Sequence, residues 1–272
     1  SLDDSGMVFI VEGETTTVQV SAARVIWVEP GFNDTETIAA LKQFRDEDYA
    51  ASISPLLASV SRGTEVWRAQ WLSMHLWQAA FQAQRYPAVL ELVNQIDARP
   101  LPPMILGGLP VQWLGERLPP AAIETAQKTL AEDNSLSATK LVTASWLLGQ
   151  ANDTQAVAVL QSLSLQKERP VLALLATTLL WRKALPPDVR VNHWRWRNQL
   201  SNMPLTLTPG PTTLVADRLE AAGAPDESLE LFLSVGMTPT RPDPVVKIAK
   251  ERSRLLLEQQ DQQDESRRFK QE

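Results

Sequence analysis

The chain has 272 residues, no cysteine and a formal net charge of −6. With 44% hydrophobic and 21% charged residues it reads as globular, long enough for one large domain or a continuous repeat array. This composition excludes disulfides, thiolate metal sites and a Cys nucleophile, and the acidic balance argues against general nucleic-acid binding, which needs a basic face against phosphates.

The chain opens Ser1-Leu2-Asp3-Asp4, without Met, a basic start or an apolar signal core, and reads as a processed mature chain or an artificial start. Residues 6–28 read as β. Met7–Val11, Thr15–Val20 and Arg24–Val28 are rich in Val, Ile, Thr and aromatics, and Glu12-Gly13-Glu14 supplies a turn between the first two. Within the second strand, Val18 and Val20 share one face while Thr17 and Gln19 share the other. Three short strands are marginal alone, so they either dock on the first helices or belong to a small barrel. Pro30-Gly31 ends this module, residues 1–31.

From Asp34 onward the pattern is helical. Asp34–Thr37 is an N-cap region before Ile38–Phe44. Glu65–Gln84 carries Trp67, Trp71, Met74 and Phe81 on one stripe, and Pro87–Ile96 is its antiparallel return. Arg99–Pro103 is a proline-rich break, and Gly107, Gly108 and Pro110 predict a short or broken helix within Met104–Leu118. Pro119-Pro120 opens Ala121–Leu130. Further hairpins pair Ser137–Leu148 with Gln155–Leu163, Pro170–Lys183 with Pro187–Leu200, and Thr212–Ala222 with Asp226–Val235. Repeats thus occupy 34–240, and a last helix, Val245–Gln263, with a charged tail occupies 241–272. The longest apolar stretch, Val171–Trp181, is too short to cross a membrane.

One phrase recurs along these helices: a polar turn, a small residue, then a short apolar helix. Its clearest copies begin at Asp48, Arg85, Asn152 and Gly223, and the second helices start near residues 50, 87, 120, 154, 187 and 226. A period in that range predicts a mainly α fold, an α-solenoid of helix hairpins behind a small N-terminal β module. The copies resemble the tetratricopeptide repeat, with Gly223 at its turn glycine, Ser228 at a small residue of its second helix, Phe232 at an aromatic, and Tyr49 and Tyr86 at its turn tyrosine. Trp77 stands where that repeat places a glycine. Arg24–Val28, Glu65–Arg68 and Leu109–Trp113 also resemble stretches of uncharacterised bacterial secreted or envelope proteins with a short β module before such helices. That resemblance implies export and a scaffold-like role, in the periplasm, cell envelope or outside the cell, with a cytoplasmic location as the alternative; it brings no catalytic or ligand residues.

Chemistry is sparse. His75 and His193 lie in different repeats, without a second His at metal-binding spacing. Phosphate-loop, dinucleotide and nucleophile-elbow motifs are absent, and carboxylate pairs such as Glu47/Asp48, Glu132/Asp133 and Asp264/Glu265 read as solvated caps. We expect no cofactor, no metal and no enzymatic activity. Two features suit partner binding instead. Arg190, His193, Trp194, Arg195 and Arg197 follow Arg182-Lys183 and interleave cations with aromatics. Nine Trp against two Tyr and six Phe is a second signal; Trp67, Trp71, Trp146 and Trp181 are phased for the core, whereas Trp77 and Trp113, with His75 nearby, are candidates for a groove. The expected function is a non-enzymatic protein–protein interaction scaffold, a subunit of a larger envelope assembly, taking a peptide on the face of its first helices or a strand on a β edge at Thr15–Val20 or Arg24–Val28. The alternative is a glycan-binding or glycan-processing envelope protein, which requires two solvent-facing Trp and converging carboxylates in one pocket.

Overall fold

The computed structural model describes residues 6–10, 15–21, 24–25, 27–62, 65–99, 101–115, 117–132, 135–237 and 244–260. The expected turn at Glu12–Glu14 and the charged tail Asp261–Glu272 lie outside them. Strands β1 (Gly6–Ile10) and β2 (Thr17–Ser21) pair antiparallel, with Val8 opposite Gln19. The described residues of the expected third strand, 24–25 and 27–28, form none. Val25 is buried and Trp27 packs on the core, so apolar residues there serve docking on the helices rather than sheet pairing.

Thirteen helices follow among the described residues: α1 (Thr35–Arg45), α2 (Tyr49–Ser61), α3 (Val66–Gln82), α4 (Tyr86–Ile96), α5 (Pro103–Leu106), α6 (Pro120–Ala131), α7 (Ser137–Leu147), α8 (Thr154–Ser164), α9 (Pro170–Leu180), α10 (Pro186–Ser201), α11 (Pro209–Ala221), α12 (Pro225–Gly236) and α13 (Pro244–Gln259). The fold is mainly α with a small N-terminal sheet. The Asp34 carboxylate caps α1 by accepting from the Thr37 N–H at 2.7 Å, as its position predicts. Proline occupies the first turn of α4, α6, α9, α10, α11 and α12, where its missing N–H costs no helical bond.

Packing is between sequence neighbours. Second helices sit against consecutive first helices: α2 between α1 and α3, α8 between α7 and α9, α12 between α11 and α13. The row α7, α9, α11, α13 is itself in contact from each helix to the next. One residue on each second helix marks the repeat: Ser52, Val89, Ala122, Ala156, Val189 and Ser228 are all at most 1% exposed. Their separations of 37, 33, 34, 33 and 39 residues are those of the turns. Ser228 faces its own hairpin partner, donating its hydroxyl to the Ala216 carbonyl on α11 at 2.8 Å.

Three hairpins also close in the same way. Glu47, Gln84 and Gly223 take φ of 62°, 59° and 75°, and the next residue's N–H reaches the carbonyl five residues back: Asp48 to Gln43, Arg85 to Ala80, Ala224 to Leu219. This left-handed cap favours glycine, yet two of the three copies carry a longer residue.

The third first helix is the exception. It is cut to the single turn α5, and residues 107–115 continue without regular structure. Gly107, Gly108 and Pro110 oppose helix here, as the sequence predicts. The side chains of α3, α7 and the segment after α9 hold this strap by its backbone. Trp77 Nε1 donates to the Gly108 carbonyl and Trp146 Nε1 to the Pro110 carbonyl, both at 2.8 Å. The Gln112 N–H donates to Ser145 Oγ at 3.0 Å, and Arg182 donates to the Gln112 carbonyl at 2.8 Å. Covered by the strap and flanked by α6 and α8, α7 is buried from Ala138 to Leu147 except at Lys140.

Candidate functional site

Two of the expected groove residues belong to the core. Trp77 is wholly buried, its indole spent on the strap. His75 is buried in an aromatic stack, 3.9 Å from Trp71 and edge-on to Phe44 at 4.9 Å between ring centroids. Its Nδ1 lies 2.9 Å from the Trp71 carbonyl, which can only accept, so that nitrogen carries the proton. Both are corrected for one reason: α3 has α2 on one side, α4 on the other and α5 against it, so it offers no open face where they sit.

The Arg/Trp sequence on α10 divides by helical face. On the inner face Trp196 stacks on Trp181 with ring centroids 5.0 Å apart and planes 12° from parallel. Arg190 donates from Nε to the Ala222 carbonyl at 2.8 Å, filling an acceptor at the end of α11. His193 rests between the Arg190 carbonyl, 3.0 Å from Nδ1, and Glu227, 3.3 Å from Nε2. Arg197 grips Glu230 with two nitrogens, at 2.6 and 3.2 Å. Arg182 and Lys183 are also committed, Lys183 to Asp153 at 2.8 Å. Four of the five cations in 182–197 therefore hold the fold together, and the expected basic patch shrinks to Arg195.

The outer face is different. Trp194 is 60% exposed and Val191, one turn before it, 67%. The exposed Arg195 guanidinium lies 5.6 Å from the Trp194 ring centroid and has no carboxylate partner among the described residues. Sequence phase alone did not separate these faces, because the carboxylates that claim the inner-face residues lie on α12. Glu227 and Glu230 stand 34 and 33 residues after His193 and Arg197, about one repeat away, so pairing charges at the repeat period was the signal available.

A second site was not foreseen beyond Trp113. A cavity of about 360 Å³ is walled by the ends of α1 and α3, the strap, the start of α11 and α13. Phe44, Tyr49, Phe81, Trp113 and Ile248 supply its apolar walls. Two glycines shape it: a Cβ on Gly210 would run into the Trp113 indole, and one on Gly107 into the Thr206 carbonyl. Burial raises the pKa of Tyr49, and Glu47 raises it further. Thr206 and Thr213 also line the cavity, and their buried hydroxyls have no hydrogen-bond partner among the described residues. The cavity draws on segments far apart in sequence, which no local pattern connects.

Among the described residues, no three His, Asp or Glu side chains come together in a way that would hold a metal, and no helix is long and apolar enough to cross a membrane. No protein family, curated protein or solved structure matches the chain.

Proposed function

We propose that the chain is a non-enzymatic, tetratricopeptide-like α-solenoid that acts as a protein–protein interaction scaffold within a larger envelope assembly, and that it meets its partner through the outer face of α10. The observation that carries this is the pairing of Val191, Trp194 and Arg195 on a helix whose opposite face is fixed by Trp196, Arg190, His193 and Arg197. Trp and Arg dominate interface hot spots, and a side chain presented from a fixed helix loses little entropy on binding. The partner surface that fits is an apolar depression rimmed by carboxylate, since Arg195 is the uncommitted charge of the patch. Buried positions at the repeat period support the solenoid reading. The envelope location rests on the resemblance alone.

Among the described residues the cavity offers one Trp and one carboxylate, Trp113 and Glu47, so its geometry does not favour sugar stacking over a protein partner. Capture of the tagged chain from its native cells tests the proposal. A partner held by the wild type and lost from Trp194→Ala and Arg195→Glu is the expected result. Equal recovery with all three proteins overturns the assignment of α10.

A further inference from the structure

We propose that β2 is a dimerisation edge, along which a second copy of this chain lays its own β2 antiparallel to make one four-stranded sheet. The inference is independent of the α10 reading. It begins from a hairpin that is incomplete by itself. Two strands alone are marginal in water, and stability comes with three or more strands or with a helix against the apolar face. Here β1 and β2 form a two-stranded sheet. Their register puts Met7 opposite Val20 and Phe9 opposite Val18, so these four side chains share one face. Of the four, Met7 packs on the helical core. Phe9 is 37% exposed, and Val18 and Val20 are half-buried but stand outside that packing.

The edge is also undefended. β1 takes one side of β2, and among the described residues no strand takes the other. Exposed edges are ordinarily blunted by Lys, Pro or a bulge. β2 reads Thr17-Val18-Gln19-Val20-Ser21, without charge or proline, and pairs regularly with β1 at all five positions. An uncharged strand that alternates hydroxyl or amide with valine fits this edge, and β2 itself has that sequence. A two-fold axis through Gln19, perpendicular to the sheet, brings all five residues of both copies into register. Val18 then meets Val20 of the second copy, Thr17 meets Ser21 of the second copy, and Gln19 meets its own counterpart. The Val pairs fall on the apolar face, and the hydroxyl and amide pairs fall on the other, where they can bond across the strands. The axis keeps each face on its own side, so Met7, Phe9, Val18 and Val20 of both copies form one apolar face across four strands. A foreign strand would share the backbone bonds, whereas this matching of side chains comes from the chain's own sequence. The contact is isologous and closes at two copies.

Sedimentation velocity on the purified full chain, over a range of concentrations, tests this. Five residues a side bury less than a standard interface, so we expect a reversible dimer with a Kd of roughly 10–100 μM. Gln19→Lys and Gln19→Glu each set a like charge against itself on the two-fold axis, and each should weaken the dimer about fivefold. Mixed one to one, they set Lys opposite Glu and should restore the dimer to the wild-type level. Gln19 is exposed, so both variants should keep the helical body, which circular dichroism melts confirm. Trp194→Ala should dimerise as the wild type does, so failure here and failure of the α10 reading are distinguishable. A wild type that stays monomeric up to about 1 mM overturns the proposal. So does a dimer that both single variants leave unchanged, or a mixture no more dimeric than either variant alone.

Discussion

Arg182 ties the strap to the end of α7. Its guanidinium donates to three carbonyls: Gln112 on the strap at 2.8 Å, and Ser145 and Leu148 at the end of α7 at 2.9 and 3.0 Å. The last carbonyls of a helix have no partner within it, so Arg182 acts as a cap for α7 while tying the strap down. Burial, then repulsion from Arg218, pushes the Arg182 pKa down to about 10. Hydrogen bonds to a charged group contribute about 1.5–3 kcal/mol each. Two of the three share one nitrogen, so the lower end applies and the gross contribution is about 5 kcal/mol. Keeping the charge buried costs back about 3 kcal/mol. Arg182→Met, which retains the apolar stem, should therefore destabilise the protein by about 2–3 kcal/mol, or roughly 4–12 °C in melting temperature. Urea unfolding measures the loss, and hydrogen exchange locates it: amides in 109–115 and at the end of α7 should lose protection while α12 does not. An unchanged midpoint with unchanged protection in 109–115 would refute the pinning argument.

Gln84→Gly should stabilise by up to about 1 kcal/mol, because φ of 59° strains a residue with a Cβ; a loss of stability in thermal melts would show that the Gln side chain matters more than the strain. The Asp153 pKa is lowered, chiefly by its hydrogen bond from Lys183, with the Gly149 N–H also donating to it. A lowered folded-state value means stability present above the ordinary carboxylate range and lost as the pH falls from that range through the lowered folded value, so Asp153→Asn should flatten the acid limb of the stability curve; an identical acid limb in the variant contradicts this. Trp194→Ala should change stability by less than about 0.5 kcal/mol while abolishing partner capture, and a large loss of stability would place Trp194 in the core instead.

Much of the helical order was legible in the sequence. Proline at first turns, the Asp34 cap and apolar periodicity act within a few residues, and the observed helix ends lie close to the expected ones. The broken third first helix was legible too, since Gly and Pro are local signals. What the strap does was not: its acceptors meet Trp77, Trp146 and Arg182, donors 31 to 70 residues away. The same distance problem moved Trp77 and His75 from groove to core, because helical phase says which residues share a face but not whether another segment covers it. On α10 phase identified the helix, and only the Ala222 carbonyl at the end of α11 and the carboxylates of α12 revealed which side chains were already spent. The apolar run at Arg24–Val28 shows the converse error: β-prone residues there satisfy docking, not pairing.

The most direct test of the account is site-specific photocross-linking in the native cells. A benzophenone amino acid is placed in turn at Trp194, at Val191 and, as a control, at the exposed Leu57 of α2. The account predicts one discrete adduct, the same protein at 194 and 191 and none at 57. Absence of any adduct at 194 and 191, or equal adducts at all three positions, would contradict the claim that α10 presents the scaffold's partner surface.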